Sequence, residues 1–172
     1  MFKFFGFLLL VMGTGGFSYC ICRELKQRLI QLKELKYMYE LIQNEIRYTS
    51  LPIPLVFENV SDKVKAPFRD VLTNISRRLR AECGGMLSEV WEQEVKKHIK
   101  EIAFTRGQKE SLLRFHESVG MMDGKGQAMA LQIKIEEVEK WIKEQEKECG
   151  EKYRVIMSFG IAAGIMLGIL LI

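Results

Sequence analysis

The chain begins and ends with long runs of uncharged, mostly apolar residues. The first run covers residues 4–22 and the second covers residues 155–172, which gives nineteen and eighteen positions without a charged side chain. A helix needs about 20 apolar residues to cross the hydrocarbon core of a bilayer. We therefore expect a membrane-spanning helix at each end, and the fold between them must bring the chain back to the same membrane.

The first run could also be a cleaved signal peptide. Its apolar stretch continues past Gly16 to Ile21 without an A-x-A-like cleavage site. The tetrapeptide FSYC, which ends at Cys20, is a poor site for lipoprotein processing. The sequence therefore favours an anchor that stays in place.

Basic residues flank both predicted spans on their inner sides. Arg23, Lys26 and Arg28 follow the first span, and Lys152 and Arg154 precede the second. Because basic residues near a span stay on the cytoplasmic side, we expect residues 23–154 to be cytoplasmic. The prediction is an integral membrane protein in contact with lipid at both ends.

The second span has a glycine at every fourth position, Gly160, Gly164 and Gly168. Glycine disfavours a helix in water by about 1 kcal/mol relative to alanine, but in lipid small residues four apart let two helices approach closely. This face could pack on the first span or on a second copy of the chain. The other interpretation is that glycine is simply commoner in membrane helices.

The predicted cytoplasmic segment, residues 23–154, has the length of one domain. Without Lys3 it holds 25 of the 26 basic residues and all 22 acidic ones. A net charge of +3 argues against a nucleic-acid-binding surface. The segment contains only Cys83 and Cys149, so no disulfide framework is indicated.

Apolar residues recur at helical spacing along most of this segment. Over residues 23–49, Leu25, Leu32, Tyr39 and Ile46 recur every seven positions, which predicts one long helix that leaves the membrane directly. Pro52 and Pro54 should end it. Further patterns predict a short helix over residues 55–60, a helix from Pro67 to Ala81, a helix across LSEVWEQEVKKHI, a helix from Thr105 to Gly120 with a capping box at Thr105 and Gln108, and a last helix from Gln127 that can continue into the second span.

No stretch alternates in the way a strand requires, so the sequence predicts an all-α fold. It consists of a six-helix cytosolic bundle flanked by two transmembrane helices. Because the first and last helices both lead to the bilayer, we expect them to form an antiparallel stalk, with the four shorter helices capping it.

The residues give no sign of catalysis. His98 and His116 are the only histidines and fit no metal-binding spacing. The loop GMMDGKG, residues 120–126, lacks the spacing and the Ser/Thr of a phosphate-binding loop. We therefore expect no catalytic, metal or cofactor site and no small-molecule substrate, and a function carried by contacts with other proteins.

Three stretches, taken with the span layout, resemble the stage III sporulation protein AB family, a relative of the type II secretion F proteins. They are LIQNEIRYTSLPIP over residues 41–54, LLRFHESVGMMDGKGQ over residues 112–127, and the glycine-rich terminal span. The resemblance covers the whole chain. The chain differs from secretion F proteins, because it has one predicted helical domain and two predicted spans, whereas they have two domains and three spans.

The resemblance implies a cytosolic bundle similar to one F domain, in a channel between mother cell and forespore. The protein would lie in the mother-cell membrane that surrounds the forespore. Its implied partners are a secretion-type ATPase, other channel subunits and further copies of itself. The positions carried over as partner-binding candidates are Glu45, Tyr48 and Pro52 at the first turn and Gly120, Asp123 and Gln127 at the second.

Two other functions stay open at this point. One is a membrane-anchored sensor or regulator that signals through its stalk helices. The other is a small helical membrane enzyme that uses Glu45 and Asp123, although both carboxylates lie beside chain reversals and could simply brace them.

Overall fold

In the residues that the computed structural model describes, all regular secondary structure is helical. The described residues are 2–49, 51–81, 86–119 and 124–171 for the backbone, and residues 23–49, 51–81, 86–119 and 125–152 for the side chains. The helices are α1 (Phe2–Tyr48), α2 (Ile53–Ser61), α3 (Phe68–Ala81), α4 (Leu87–His98), α5 (Arg106–Leu113), a 3₁₀ helix (Arg114–Ser118) and α6 (Gly124–Leu171). The all-α prediction is confirmed.

The chain divides into two compact units. One combines the N-terminal part of α1, up to Leu29, with the C-terminal part of α6, from Lys143. In this unit Lys152 pairs with Glu148 of the same helix at 2.6 Å. The other unit, Ile30–Ile142, contains the rest of α1 and α6 together with all the shorter helices.

The chain reverses between α1 and α2 at the predicted prolines, but the two prolines act differently. Pro52 precedes α2, and its carbonyl oxygen accepts hydrogen bonds from the backbone N–H groups of Leu55 and Val56. Pro54 lies inside the first turn of α2, where a proline has no hydrogen bond to lose. The short helix therefore begins two residues earlier than the sequence pattern predicts.

Helices α3 and α4 bury the apolar faces that their periodicity predicts. Leu72, Ile75 and Trp91 have no exposed surface, and Val95 is 1 % exposed. The carbonyl oxygen of Pro67 accepts a hydrogen bond from the N–H of Val71, and the Ala66–Pro67 peptide bond is cis. Pro67 thus precedes α3 and is not its first residue.

The predicted helix from Thr105 to Gly120 is correct at its start and differs at its end. Thr105 and Gln108 form the capping box, with each side chain bonded to the other residue's backbone. The α-helix ends at Leu113, and a 3₁₀ helix follows. The Trp91 indole N–H donates to the carbonyl of Leu112 at 2.9 Å, and His116 Nδ1 lies 2.9 Å from the carbonyl of Leu113. These side chains compete for carbonyls that an α-helix would use for its own N–H groups.

Within the second unit, α1 and α6 run antiparallel, as predicted. Lys36 pairs with Glu139 at 3.6 Å, and Gln43 Nε2 lies 3.1 Å from Gln132 Oε1. Moving seven residues forward along α1, from Lys36 to Gln43, therefore corresponds to moving seven residues back along α6, from Glu139 to Gln132. The shorter helices lie beside this pair over much of its length and not only at one end, since the Gln31 side chain bonds to the backbone of Glu101.

A run of aromatic rings forms the centre of this unit. Tyr39 stacks on Phe115 with ring centroids 4.5 Å apart, and Trp91 lies 4.6 Å from Phe115 and 5.9 Å from Phe57. Burial, and then the charge of Glu137, raise the pKa of the Tyr39 phenol far above its usual range, so the phenol stays neutral. The rings join α1, α2, α4 and the 3₁₀ helix in one core.

Candidate partner-binding surface

The antiparallel register of α1 and α6 brings the two predicted turns to the same end of the bundle. The Gln43 amide nitrogen donates to the carbonyl of Ala128 at 2.8 Å and to the side chain of Gln132. Continuing this register by five residues puts Tyr48, at the end of α1, at the level of Gln127 in the first turn of α6. The antiparallel stalk predicted from the sequence already implies a shared end, and these hydrogen bonds give its register.

At the first turn, Glu45 braces the chain reversal. Its carboxylate lies 3.4 Å from Lys63 Nζ, and its carbonyl accepts hydrogen bonds from the N–H of Thr49 at 2.8 Å and from the Thr49 hydroxyl at 2.5 Å. Its side chain is only 17 % exposed, against 48 % for Lys63. Glu45 therefore ties the end of α1 to the segment after α2, which favours a structural role for this carboxylate.

Tyr48 has a different environment from Glu45. It is 80 % exposed, the largest exposure among the large hydrophobic side chains described. Pro52 is also exposed, although its carbonyl is used by α2. An aromatic side chain held out in water at a helix end is free to bury its ring against another protein.

At the second turn, Gln127 is fixed by its neighbour. Its amide nitrogen donates to the carbonyl of Val119 at 2.7 Å. This hydrogen bond links the residue after the 3₁₀ helix to the N-terminal part of α6. Gly120 and Asp123, the other two candidates at this turn, lie outside the described residues.

Two exposed apolar residues of α6 extend the surface, and the sequence analysis missed them. Met129 is 71 % exposed and Ile133 is 60 % exposed. Each lies two residues from a buried position, Leu131 or Ile135, and so points to the opposite side of the helix. Tyr48 likewise lies nine residues, or half a rotation, from buried Tyr39. The sequence signal was an apolar pair opposite the buried stripe.

Tyr48, Met129 and Ile133 therefore each point away from the buried face of their own helix, near the end of the bundle that carries the turns. We call these three residues the turn-end patch. An exposed apolar cluster of this kind marks a protein contact more often than isolated surface residues do.

Among the described residues, which leave out Asp123, no catalytic groups assemble around this patch. Glu45 is engaged with Lys63, and His98 Nδ1 lies 3.2 Å from its own neighbour Glu101. Across the described part of the chain, no group of three or more His, Cys, Asp or Glu side chains could hold a metal ion.

The predicted spans lie beyond the side chains that are described. Among those side chains, which run from residue 23 to 152 with gaps at 50, 82–85 and 120–124, no helix is long and apolar enough to cross a bilayer. Residues 4–22 and 155–172 are outside this range, as are Gly160, Gly164 and Gly168.

Comparison with known proteins decides the family. A family model described as stage III sporulation protein AB matches residues 3–172. The chain belongs to the stage III sporulation protein AB family. Stage III sporulation protein AB of Bacillus subtilis (strain 168) is 22 % identical to it over 171 residues, which is 99 % of each chain.

A solved structure named stage III sporulation protein AB (SpoIIIAB) has a similar fold. It superposes with a TM-score of 0.65 at 19 % identity, over 72 % of this chain and 97 % of the solved one. At this identity the likeness concerns the fold alone. Membership of the stage III sporulation protein AB family places the chain among sporulation proteins.

Proposed function

We propose that this chain is a non-enzymatic, membrane-anchored platform subunit of the sporulation channel between mother cell and forespore. Its helical bundle, similar to one type II secretion F domain, binds a secretion-type ATPase and other channel subunits. The end of the bundle that carries both turns is the docking site.

The observation that supports this proposal most is the exposure of Tyr48 at that end. The register of Gln43 and Ala128 joins the two turns, and Tyr48 is 80 % exposed beside them. Glu45 and Gln127 support the proposal as braces that hold the surface in one shape. A surface fixed in advance costs less entropy when a partner binds.

The charge pattern and the apolar ends support the location. Basic flanks at Arg23 and Lys26 after the first apolar run, and at Lys152 and Arg154 before the second, favour a cytoplasmic bundle. The family resemblance implies that this cytoplasm is that of the mother cell. The glycines of the second run give a face for packing on the first run or on a second copy. Several copies, or further partners, would complete a platform that has one domain where a secretion F protein has two.

The proposal is tested by purifying tagged full-length protein from sporulating cells. We expect the wild-type chain to bring down the secretion-type ATPase and other channel subunits, and Tyr48→Ala to bring down less of them. Tyr37→Ala is the matched control, because Tyr37 is another exposed tyrosine of α1, at 44 % exposure, that lies eleven residues before the turn. A triple change of Gly160, Gly164 and Gly168 to isoleucine reports whether the glycine face is needed.

Recovery of none of these subunits with folded wild-type protein would contradict the platform function. If Tyr48→Ala and Tyr37→Ala both recovered as much of these subunits as the wild-type chain does, the platform function would stand. The docking site at the turns would then be contradicted.

One observation favours the alternative of a sensor. Helix α1 is continuous from Phe2 to Tyr48, so one helix contains the first apolar run and the stalk segment. Inserting one residue after Lys33 would rotate the C-terminal part of α1 by about 100°. A sensor predicts altered sporulation signalling with the channel still assembled, whereas the platform function predicts loss of assembly.

A further inference from the structure

Helix α3 carries a stripe of arginines on its outer side. Arg69, Arg77 and Arg80 fall within a sector of about 80° around the helix axis, because eleven residues make almost three full turns and Arg77 lies about one turn before Arg80. Together with Arg78, and against Asp70 alone, α3 has a net charge of +3. The stripe runs over about 16 Å of helix length.

A groove lies along this stripe, between α2 and α3. It encloses about 470 Å³ and is lined from α2 by Glu58 and Ser61 and from α3 by Thr73, Ser76, Arg77 and Arg80. The groove is separate from the turn-end patch in the residues that form it.

The hydroxyl groups of the groove are already engaged. Ser61, Thr73 and Ser76 donate to the backbone carbonyls of Glu58, Arg69 and Pro54 at 2.8, 2.9 and 2.7 Å. Their protons are therefore used within the chain, and the bond from Ser76 to Pro54 ties the two helices together. Recognition of a ligand in this groove falls to the arginines.

The two arginines of the groove have donors to spare. Arg80 Nη1 donates to Glu58 Oε2 at 2.5 Å, which uses one of its five N–H groups and holds the guanidinium against the groove wall. Arg77 is exposed, and among the described residues no side chain or carbonyl forms a hydrogen bond or ion pair with it. Each guanidinium presents a planar fork of N–H donors that matches a carboxylate. The groove therefore holds one unpaired fork, that of Arg77, next to the partly used one of Arg80.

We propose that this groove binds an acidic segment of a partner protein, with Arg77 and Arg80 as the residues that receive its carboxylates. Arg69 pairs with Asp70 at 3.8 Å and does not line the groove, so the groove offers the guanidinium groups of Arg77 and Arg80, which fit two successive carboxylates. The concave shape fits a peptide or helix edge, whereas a lipid surface meets a protein on a flat or convex face. The inference stands independently of docking at the turn-end patch.

The test is the binding of a fluorescein-labelled peptide of ten glutamates to the full-length protein in zwitterionic detergent, followed by fluorescence anisotropy. We expect binding that weakens as salt is raised, because the contacts are ionic. Arg77→Ala should raise the Kd about tenfold, and Arg77→Ala with Arg80→Ala should raise it further. The matched control is Arg106→Ala, which removes the same charge from a 94 % exposed side chain on α5.

Three results would overturn the proposal. The first is no binding of the glutamate peptide to folded wild-type protein. The second is an equal rise in Kd for Arg77→Ala and Arg106→Ala, which would show that only net charge matters. The third is Arg77-dependent binding to vesicles of phosphatidylglycerol without binding to the peptide, which would assign the stripe to lipid. Circular dichroism of each variant separates lost binding from lost folding.

Discussion

The amide nitrogen of Gln43 donates a hydrogen bond of 2.8 Å to the carbonyl of Ala128, 85 residues further along the chain. Gln43 is 8 % exposed, so this bond lies almost out of water and fixes how far α1 extends beside α6. That register determines which residues of the two turns lie at the same level. A buried hydrogen bond between two long helices thus sets the shape of the proposed docking end.

Replacing Gln43 with alanine should loosen this register. We expect Gln43→Ala to lower the free energy of unfolding by about 1–2 kcal/mol, because the change removes a buried hydrogen bond and some packing. Gln132→Ala, at an exposed position of the same contact, should cost less than half as much. Urea unfolding followed by circular dichroism measures both, and equal costs would show that burial at Gln43 contributes nothing.

The core of α3 gives a larger expected effect. Leu72 and Ile75 have no exposed surface, and replacing either with alanine leaves a cavity that should cost about 2–5 kcal/mol. Ile133→Ala is the matched control, because Ile133 is 60 % exposed and its truncation should cost about 0.5 kcal/mol or less. An unfolding free energy that Leu72→Ala leaves unchanged would contradict the assigned core.

The capping box of α5 can be tested by removing the side-chain oxygen atom of Thr105. The Thr105 side chain accepts a hydrogen bond from the N–H of Gln108, and Thr105→Ala should cost about 1 kcal/mol. Thr105→Ser keeps the oxygen and should cost only a few tenths. Thermal unfolding measures both variants, and a serine variant as unstable as the alanine variant would show that the methyl group, not the cap, matters.

The pH dependence of stability should be traceable in part to Glu94. Its carboxylate is 2 % exposed and lies 2.9 Å from Arg78 Nη1 and 2.6 Å from Lys97 Nζ. Burial acts to raise the pKa of Glu94, but the hydrogen bonds and charges of Lys97 and Arg78 outweigh burial, so the pKa lies below its usual value.

A carboxyl group with a lowered folded pKa stabilises the fold above its unfolded pKa of about 4.3, and this contribution is lost as the pH falls through the folded pKa. We expect Glu94→Gln to reduce the unfolding free energy at pH 7 and to flatten its decline towards about pH 3. Glu110→Gln, at an exposed ion pair with Arg106, should leave the decline nearly unchanged. The expectation fails if the Glu94→Gln and wild-type curves run parallel.

The sequence predicted the helices because their buried faces repeat strictly. Leu25, Leu32 and Tyr39 recur every seven residues on α1, and Leu131, Ile135 and Val138 repeat on α6; all six are buried. Local chemistry also predicted the capping box, since Thr105 and Gln108 have the spacing at which each side chain reaches the other's backbone.

What the sequence could not predict depends on contacts between distant residues. The end of α5 at Leu113 depends on the Trp91 indole, 21 residues away, which donates to the carbonyl of Leu112. The register that sets the levels of the two turns depends on the contact between Gln43 and Ala128. Among the site candidates, the family resemblance singled out Glu45, Tyr48 and Gln127 alike, and only the contacts separate the two braces from the exposed tyrosine.

The measurement that tests the central claim most directly is photocrosslinking in sporulating cells with a benzophenone amino acid in place of Tyr48. The proposed docking at the turn end predicts a crosslink from position 48 to the secretion-type ATPase or another channel subunit. It predicts no crosslink when the same amino acid replaces Tyr37. If a stable, correctly located protein gave no crosslink from position 48 to any channel subunit, docking at the turn end of the bundle would be contradicted. Crosslinks of equal yield from positions 48 and 37 would contradict it as well.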